Sequence, residues 1–167
     1  MLWVSRYLLA RVAEDFGVSV SLEPKLFKDW NGAGCHTNFS TATMRAGTGG
    51  MQYIDDMMKK LAAKHEFHIG LYGNNEKRLT GHHETSSRDK FSYGPGNRAA
   101  SVRIPTATAA DNGRGYVEDR RPASDMDPYV VGAAIIDTTI LEESLIKPLF
   151  EHYTAWKAWV KTAAIEE

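Results

Sequence analysis

The sequence predicts an α+β domain whose sheet is mainly antiparallel and is flanked by helices. Segments with helical periodicity and segments with strand-like alternation follow one another without the regular strand–helix–strand order of a parallel sheet. The length of 167 residues corresponds to about one domain. The sequence contains no repeat, low-complexity tract or interdomain linker.

Helices are predicted where apolar residues recur every three or four positions. Residues 1–16 and the segment after residue 50 show this pattern, and so does a stripe near the C-terminus. Asp127 followed by Pro128 is typical of a helix start, and that helix is predicted to run to about residue 146. The apolar positions of the three stripes are Leu2, Leu9, Val12 and Phe16; Met51, Ile54, Met58 and Leu61; and Leu149, Tyr153, Trp156, Val160 and Ala163.

Strands are predicted where polar and apolar residues alternate over short runs. These runs are residues 18–22, 36–41, 98–104 and 116–120. Residues 73–96 are predicted to form a long loop, and loops of this length inside a compact domain are often functional.

Composition excludes several classes of protein. Lys+Arg 20 against Asp+Glu 21 gives a net charge of -1, which argues against general binding to nucleic acid or to an acidic membrane. No apolar run approaches the roughly 18 residues that span a bilayer. The single cysteine, Cys35, excludes an internal disulfide and fits a reducing compartment, so a cytoplasmic location is predicted.

The first polar cluster is the glycine-rich run Asn31–Ser40. Its glycines allow the backbone to approach a ligand closely. His36 could ligate a metal, and Asn38 and Ser40 would share its side of a strand. The alternative is an Asn-Gly turn that leads into a strand, with His36 hydrogen-bonded in the core.

A second cluster, Arg78–Thr85, lies inside the long loop and contains Glu84 beside two histidines. A mobile loop with these groups could close over a substrate. The alternative is a solvated polar loop, and adjacent His82 and His83 lack the spacing of a helical zinc site.

Two arginines, Arg98 and Arg103, are separated by small residues and Val102. Guanidinium groups match the oxygens of a phosphate. A separation of five would place the two on opposite faces of a strand, so Arg98 must precede the strand or a bulge must intervene if both serve one site. Two unrelated surface arginines are the alternative.

The fourth cluster runs from Tyr116 to Pro122. On a strand, Tyr116, Glu118 and Arg120 share a face, so a carboxylate and a guanidinium could serve a metal and an anionic substrate together. A salt-bridged strand end is the alternative. Together the four clusters suit metal-assisted phosphoryl transfer.

The runs NGAGCHTNFST, RLTGHHET, NRAASVRIP and YVEDRRPASDMDPY resemble the eukaryotic-type glutamine synthetase family in order and spacing. The resemblance covers roughly residues 2–142. It implies a partial catalytic domain with a curved sheet over residues 1–147, and a C-terminal helical extension over residues 148–167.

This family is an ATP-dependent glutamate–ammonia ligase that uses Mg²⁺ or Mn²⁺. The resemblance implies glutamate, ammonium and ATP as substrates, and self-association into stacked rings for the complete protein. By position, it implies these roles: metal ligands His36 and Glu118; catalytic residues Glu84, Arg98 and Arg103; ATP contacts Asn38, Phe39, Ser40, Arg98, Arg103 and Tyr116; glutamate contacts Asp29, Trp30, Gly32, Arg78, Arg98 and Arg120.

Departures from the family pattern set the alternatives. The N-terminal β-grasp domain and the upstream Glu-x-Glu ligands of the family have no counterpart in this sequence, so we expect a fragment that is inactive alone. A non-catalytic structural or interaction protein on the same scaffold is the second hypothesis. A guanidino-kinase-like phosphotransferase is the third, and the His36 and Glu84 segments argue against it.

Overall fold

The computed structural model describes residues 1–82, 85–141, 148, 151–153 and 155. Helices pack against a four-stranded sheet, and the predicted α+β class is confirmed. The helices and strands, in chain order, are α1 Leu2–Asp15, β1 Thr37–Phe39, α2 Ala42–Ala46, α3 Gly50–Ala63, α4 His65–Leu71, β2 Tyr93–Pro95, β3 Val102–Ile104, α5 Thr106–Ala110, β4 Val117–Asp119 and α6 Pro128–Thr139.

The sheet has the order β1-β4-β3-β2. β4 pairs antiparallel with both β1 and β3, whereas β2 pairs parallel with β3. In this register Glu118 lies opposite Asn38 on one side and Arg103 on the other. Residues that face each other across neighbouring strands project from the same face, so these three side chains form one row across the sheet.

The opposite face of the sheet carries the main hydrophobic core. α3 lays its apolar stripe against this face because Ile54, Met58 and Leu61 recur at helical spacing and are buried. They pack with Val102 and Val117, which alternate along their strands with the polar row. A second core cluster joins α4 to α6 through Leu71, Tyr72, Met126, Val131, Ala134 and Ile135.

Local capping signals act as the sequence predicts. The Asp127 side chain accepts hydrogen bonds from the backbone N–H groups of Tyr129 and Val130, and Pro128 occupies the first turn of α6. Gly17 follows α1 with a φ of 62°, a left-handed conformation that suits glycine. The start of α6 is therefore set by the two residues that the sequence singles out.

Several predicted elements differ from the structure. Residues 18–22 form no strand in the described part of the chain, and Val18 and Val20 are exposed because no strand lies beside them. The predicted loop over residues 73–96 contains β2 at its end. α6 ends at Thr139, and residues 142–147 of the longer predicted helix lie outside the described residues. So do all positions of the C-terminal stripe except Tyr153, which packs against the second cluster.

Candidate active site

A cavity of about 320 Å³ lies on the polar face of the sheet. β3 and β4 supply Arg103 and Glu118, and the turn before β3 supplies Arg98. Arg98 thus precedes the strand, which satisfies the geometric condition that the sequence imposed. Among the residues that the structure describes, the lining consists of Asn31, Gly32, Gly34, His36, Arg78, Thr85, Arg98, Arg103, Glu118 and Arg120.

Glu118 is the acidic centre of the cavity. His36 Nδ1 lies 3.0 Å from Glu118 Oε1, and Arg120 Nη1 lies 3.5 Å from the same oxygen. Arg103 Nε lies 2.5 Å from Oε2, but this contact is an ion pair rather than an aligned hydrogen bond. One carboxylate therefore gathers an imidazole and two guanidinium groups.

The cavity sets the ionisation of both acid–base groups at its centre. Burial alone would raise the pKa of the Glu118 carboxyl, but the bond from His36 and the charges of Arg103 and Arg120 outweigh it and lower the pKa. Burial, followed by the positive charge of Arg120, lowers the pKa of His36 despite its bond to Glu118. Glu118 is therefore ionised and His36 neutral at neutral pH.

Arg78 lies at the floor of the cavity and is 4% exposed. Its Nη2 donates to the carbonyls of Arg120, Arg121 and Pro122 at 3.1, 2.6 and 3.2 Å, and its Nε donates to Asn75 Oδ1 at 2.9 Å. Burial and the nearby Arg120 charge lower the pKa of Arg78 to about 10, so it stays charged at neutral pH. Arg78 thus fixes the backbone that follows β4.

Gly34 provides space between His36 and Arg78. A Cβ at this position would lie 2.8 Å from Arg78 Nη1 and 2.9 Å from His36 Nε2. Neither group can retreat easily, because His36 is bonded to Glu118 and Arg78 to three carbonyls. This close approach gives a structural reason for the glycine-rich run that the sequence showed.

His36 and Glu118 fit two ligands of one divalent cation. Adjacent ligands about 2.1 Å from an octahedral ion are about 3 Å apart, and Nδ1 and Oε1 are separated by 3.0 Å. A cation there would replace the hydrogen bond between these two atoms, with the proton of the neutral imidazole on Nε2 and the carboxylate ionised, which are the forms that bind metals. Within the described residues, no group of three or more His, Cys, Asp or Glu side chains could hold a metal.

None of the other predicted site residues that the structure describes lines the cavity. Asn38 is exposed on the cavity face, whereas Phe39 packs against both hydrophobic clusters. Ser40 Oγ accepts a hydrogen bond from Arg45, and Asp29, Trp30 and Tyr116 are exposed. Glu84 and His83 lie outside the described residues.

Three lining residues, Asn31, Gly34 and Thr85, were not singled out individually by the sequence. Asn31 and Thr85 each lie at one end of a polar cluster, Asn31 beside the glycines and Thr85 beside Glu84, and Gly34 lies within the first cluster. Membership of those clusters was the available signal, because nothing in the spacing shows which members face inward.

A second depression of about 580 Å³ lies at the junction of α3 and α4 and is lined in part by His65, Phe67 and Phe91. It is larger than the arginine-rich cavity but contains none of the predicted site residues. Both nitrogens of His65 are already bonded, to the carbonyl of Arg88 and to Arg121. Volume therefore does not identify the site here, and the convergence of charged groups does.

No helix in the described part of the chain is both long and apolar enough to cross a membrane.

The chain is similar to a known family over most of its length. Residues 2–142 match the family model described as "Glutamine synthetase, catalytic domain". The glutamine synthetase of Agaricus bisporus is 56% identical over 144 residues, which are 85% of this chain and 40% of that protein. The glutamine synthetase of Kluyveromyces lactis is 59% identical over 139 residues, 82% of this chain and 37% of that protein.

A third relative gives the same picture. The glutamine synthetase of Neurospora crassa is 58% identical over 139 residues, 82% of this chain and 38% of that protein. The chain thus spans about two fifths of the length of these relatives. The match covers every residue that lines the cavity, and the chain belongs to the glutamine synthetase family.

Proposed function

We propose that this chain supplies the C-terminal part of the active site of an ATP-dependent glutamate–ammonia ligase. Residues 1–147 would belong to the catalytic domain, and residues 148–167 would form an extension beyond it. The observation that carries the proposal is the convergence of His36, Glu118 and four arginines on one cavity. The match to the catalytic-domain model over residues 2–142 supports it.

The charge of the cavity suits a triphosphate beside an amino acid with two carboxylates. Four guanidinium groups face one carboxylate in the lining, which leaves a positive excess for anionic ligands. We assign Arg98 and Arg103 to the phosphates, and Arg120 with Arg78 and Gly32 to glutamate. Asn38, Ser40 and Tyr116 would contact ATP from the rim, together with the backbone of Phe39, whose side chain packs against the two hydrophobic clusters. Asp29 and Trp30 would contact glutamate there.

The proposed reaction has two displacements. An oxygen of the glutamate side-chain carboxylate bonds to the terminal phosphorus of ATP as the bond to the ADP oxygen breaks. Ammonia then bonds to the carbonyl carbon of γ-glutamyl phosphate as the bond to phosphate breaks. The nitrogen gives up a proton, and Glu84 is the residue that we propose to accept it and to shield the intermediate from water.

His36 and Glu118 would hold a divalent cation, Mg²⁺ or Mn²⁺, which supplies positive charge beside the transferring phosphate when bound. The protein prepares these two ligands by keeping the imidazole neutral and the carboxylate ionised. Arg103 and Arg120 stabilise the carboxylate through their contacts with its two oxygens.

For the complete protein we propose self-association into stacked rings, a cytoplasmic location, and no nucleic-acid or membrane partner. The balanced charge of this chain argues against a nucleic-acid partner and against a membrane partner.

The test is the formation of γ-glutamyl hydroxamate from glutamate, hydroxylamine and ATP. We expect the complete protein to form it and the 167-residue chain alone not to. In the complete protein, Glu118→Gln should lower the rate by on the order of a hundredfold, because it removes the charge that orients the metal and the arginines. Glu66→Gln on the exposed side of α4 is the matched control and should keep the normal rate.

Two results would contradict the proposal. One is a normal rate for the Glu118→Gln protein, and the other is hydroxamate formation by the isolated chain.

A second candidate is a non-catalytic protein on the same scaffold. It is favoured by one observation, that the described residues contain no group of three metal-binding side chains. The coding sequence upstream of Met1 separates the two candidates: a Glu-x-Glu pair there supports the ligase, and its absence supports the non-catalytic protein.

A further inference from the structure

A chain of buried hydrogen bonds runs behind the sheet, on the side away from the cavity. Thr138 Oγ1 lies 2.8 Å from His68 Nε2, His68 Nδ1 lies 2.5 Å from the Tyr72 hydroxyl, and that hydroxyl lies 3.0 Å from Asp119 Oδ2. Thr138 is 4% exposed, His68 and Tyr72 are 0% exposed, and Asp119 is 3% exposed. These bonds connect α6, α4 and β4.

The hydrogen bonds of this network all run in one direction from donor to acceptor. An ionised carboxylate only accepts hydrogen bonds, so the Tyr72 hydroxyl donates to Asp119 and its oxygen accepts the Nδ1–H of His68. His68 Nε2 then accepts from the hydroxyl of Thr138. Burial lowers the pKa of His68 to about 3, which keeps the imidazole in the neutral form that this arrangement requires.

Asp119 also forms a buried ion pair with Arg121. Arg121 donates to Asp119 through Nε at 2.9 Å and Nη2 at 2.7 Å, and through Nη1 to His65 Nδ1 at 3.1 Å. A buried pair of this kind is seldom more stabilising than apolar residues of the same size. The fixed directions of the hydrogen bonds in this pair therefore indicate that it orients the backbone and side chains around it.

The network acts on the strand that carries the cavity residues. Along β4 and the two residues after it, Glu118 and Arg120 alternate with Asp119 and Arg121, so one pair lines the cavity and the other lies behind the sheet. The Arg121 carbonyl is bonded from the cavity side by Arg78 at 2.6 Å. The strand end is thus fixed from both faces.

We propose that Tyr72 is a positioning residue for the cavity: its hydroxyl fixes the Asp119–Arg121 pair from behind the sheet and so sets the direction of Glu118 and Arg120. The inference rests on the proposed function only in treating this cavity as the catalytic site. Tyr72 touches no lining residue through its hydroxyl, so its effect passes through β4.

The first experiment measures geometry without any substrate. The imidazole ¹⁵N resonances of His36 report the bond from Nδ1 to Glu118, and are recorded by NMR in the 167-residue chain. We expect Tyr72→Phe to shift these resonances and the backbone amides of Glu118 and Arg120, because Asp119 loses one of its fixed donors. Tyr93→Phe is the matched control, since its hydroxyl makes a solvent-exposed hydrogen bond to Asp55, and should shift none of them.

A second variant keeps the test decisive if Tyr72→Phe fails to fold. Thr138→Val removes the far end of the hydrogen-bond chain, and we expect the same resonances to shift in the same direction by a smaller amount. A folded Tyr72→Phe chain, or failing that a folded Thr138→Val chain, whose His36, Glu118 and Arg120 resonances match the wild type would overturn the proposal.

The hydroxamate assay on the complete protein separates this inference from the proposed function. Tyr72→Phe should lower kcat by on the order of tenfold with little change in the KM for ATP, because misplaced groups cost rate more than binding. If the wild-type protein forms no hydroxamate, the proposed function fails, while the NMR comparison still decides the role of Tyr72.

Discussion

At the scale of single residues, burial and hydrogen bonds decide which groups carry charge. His36 and His68 both have a lowered pKa, and in each case burial is the largest cause. Their surroundings differ: His36 lies beside Glu118 in an open cavity, whereas His68 lies wholly inside the protein between Tyr72 and Thr138. The first is suited to ligand chemistry and the second to structure.

The His68 environment predicts a pH dependence of folding. The unfolded chain binds a proton at this imidazole near pH 6.5, but the folded protein does not until the pH falls to about 3. Between these values the unfolded state holds more protons, so the free energy of unfolding falls as the pH falls, by up to about 1.4 kcal/mol per pH unit from this group.

Urea unfolding at pH 7 and pH 5 measures this pH dependence of the free energy of unfolding, in the wild type and in His68→Gln. The variant should be less stable at pH 7 and should show a smaller drop between the two pH values. An unchanged drop would mean that His68 binds its proton at the same pH in the folded and unfolded states.

Gly34→Ala should disturb the cavity more than the fold. The added methyl group would overlap Arg78 Nη1 and the His36 ring, and overpacking of this kind costs about 1–3 kcal/mol. We expect the His36 ¹⁵N resonances to move and the free energy of unfolding to fall. Gly132→Ala is the control: a Cβ there meets nothing within 4 Å, and it should stabilise α6 by about 0.5–1 kcal/mol.

At the scale of elements, caps and alternation explain most of what the sequence predicts correctly. α6 begins where Asp127 and Pro128 place it, and α3 buries the stripe that its periodicity shows. The short helices α2, α4 and α5 were missed because five to seven residues carry too little periodicity to detect. Residues 18–22 alternate like a strand, but a strand needs a neighbour, and local sequence contains no information about one.

Asp127→Ala tests the cap of α6. Loss of the two side-chain bonds to Tyr129 and Val130 should lower the free energy of unfolding by about 1 kcal/mol. Asp127→Asn preserves a hydrogen-bond acceptor at the same place and should lower the free energy of unfolding by about a few tenths of a kcal/mol at most. Thermal and urea unfolding measure both, and equal losses in the two variants would argue against capping.

At the scale of the whole molecule, the candidate site could be predicted only in part. The resemblance proposed the site residues, and strand alternation correctly placed Glu118 and Arg120 together and Phe39 on the face opposite Asn38. Spacing could not show that Arg78 would donate its hydrogen bonds to three backbone carbonyls. This outcome depends on which loops meet after folding, and it is set by residues far apart along the chain.

The surface of α1 leads to a prediction for the chain expressed alone. Leu8 is 54% exposed and Val12 is 55% exposed, and both lie on one apolar face with Val4. Exposed apolar patches promote aggregation, so we expect the chain to associate with increasing concentration.

The double variant Leu8→Lys with Val12→Lys should stay monomeric in sedimentation measurements. The Ser5→Lys variant, as the control, should associate as the wild-type chain does. If the double variant associates as strongly as the wild type, the chain associates through a different surface.

The register of β4 makes the strand unusually sensitive to changes in length. Glu118 and Arg120 face the cavity, while Asp119 and Arg121 lie behind the sheet. Inserting or deleting one residue would therefore move each of these side chains to the opposite face of the sheet. The same four charged residues would still follow one another along the chain, yet each side chain would lie on the wrong face of the sheet. Over this stretch, only insertions or deletions of even length leave both the ionic interior and the open face intact.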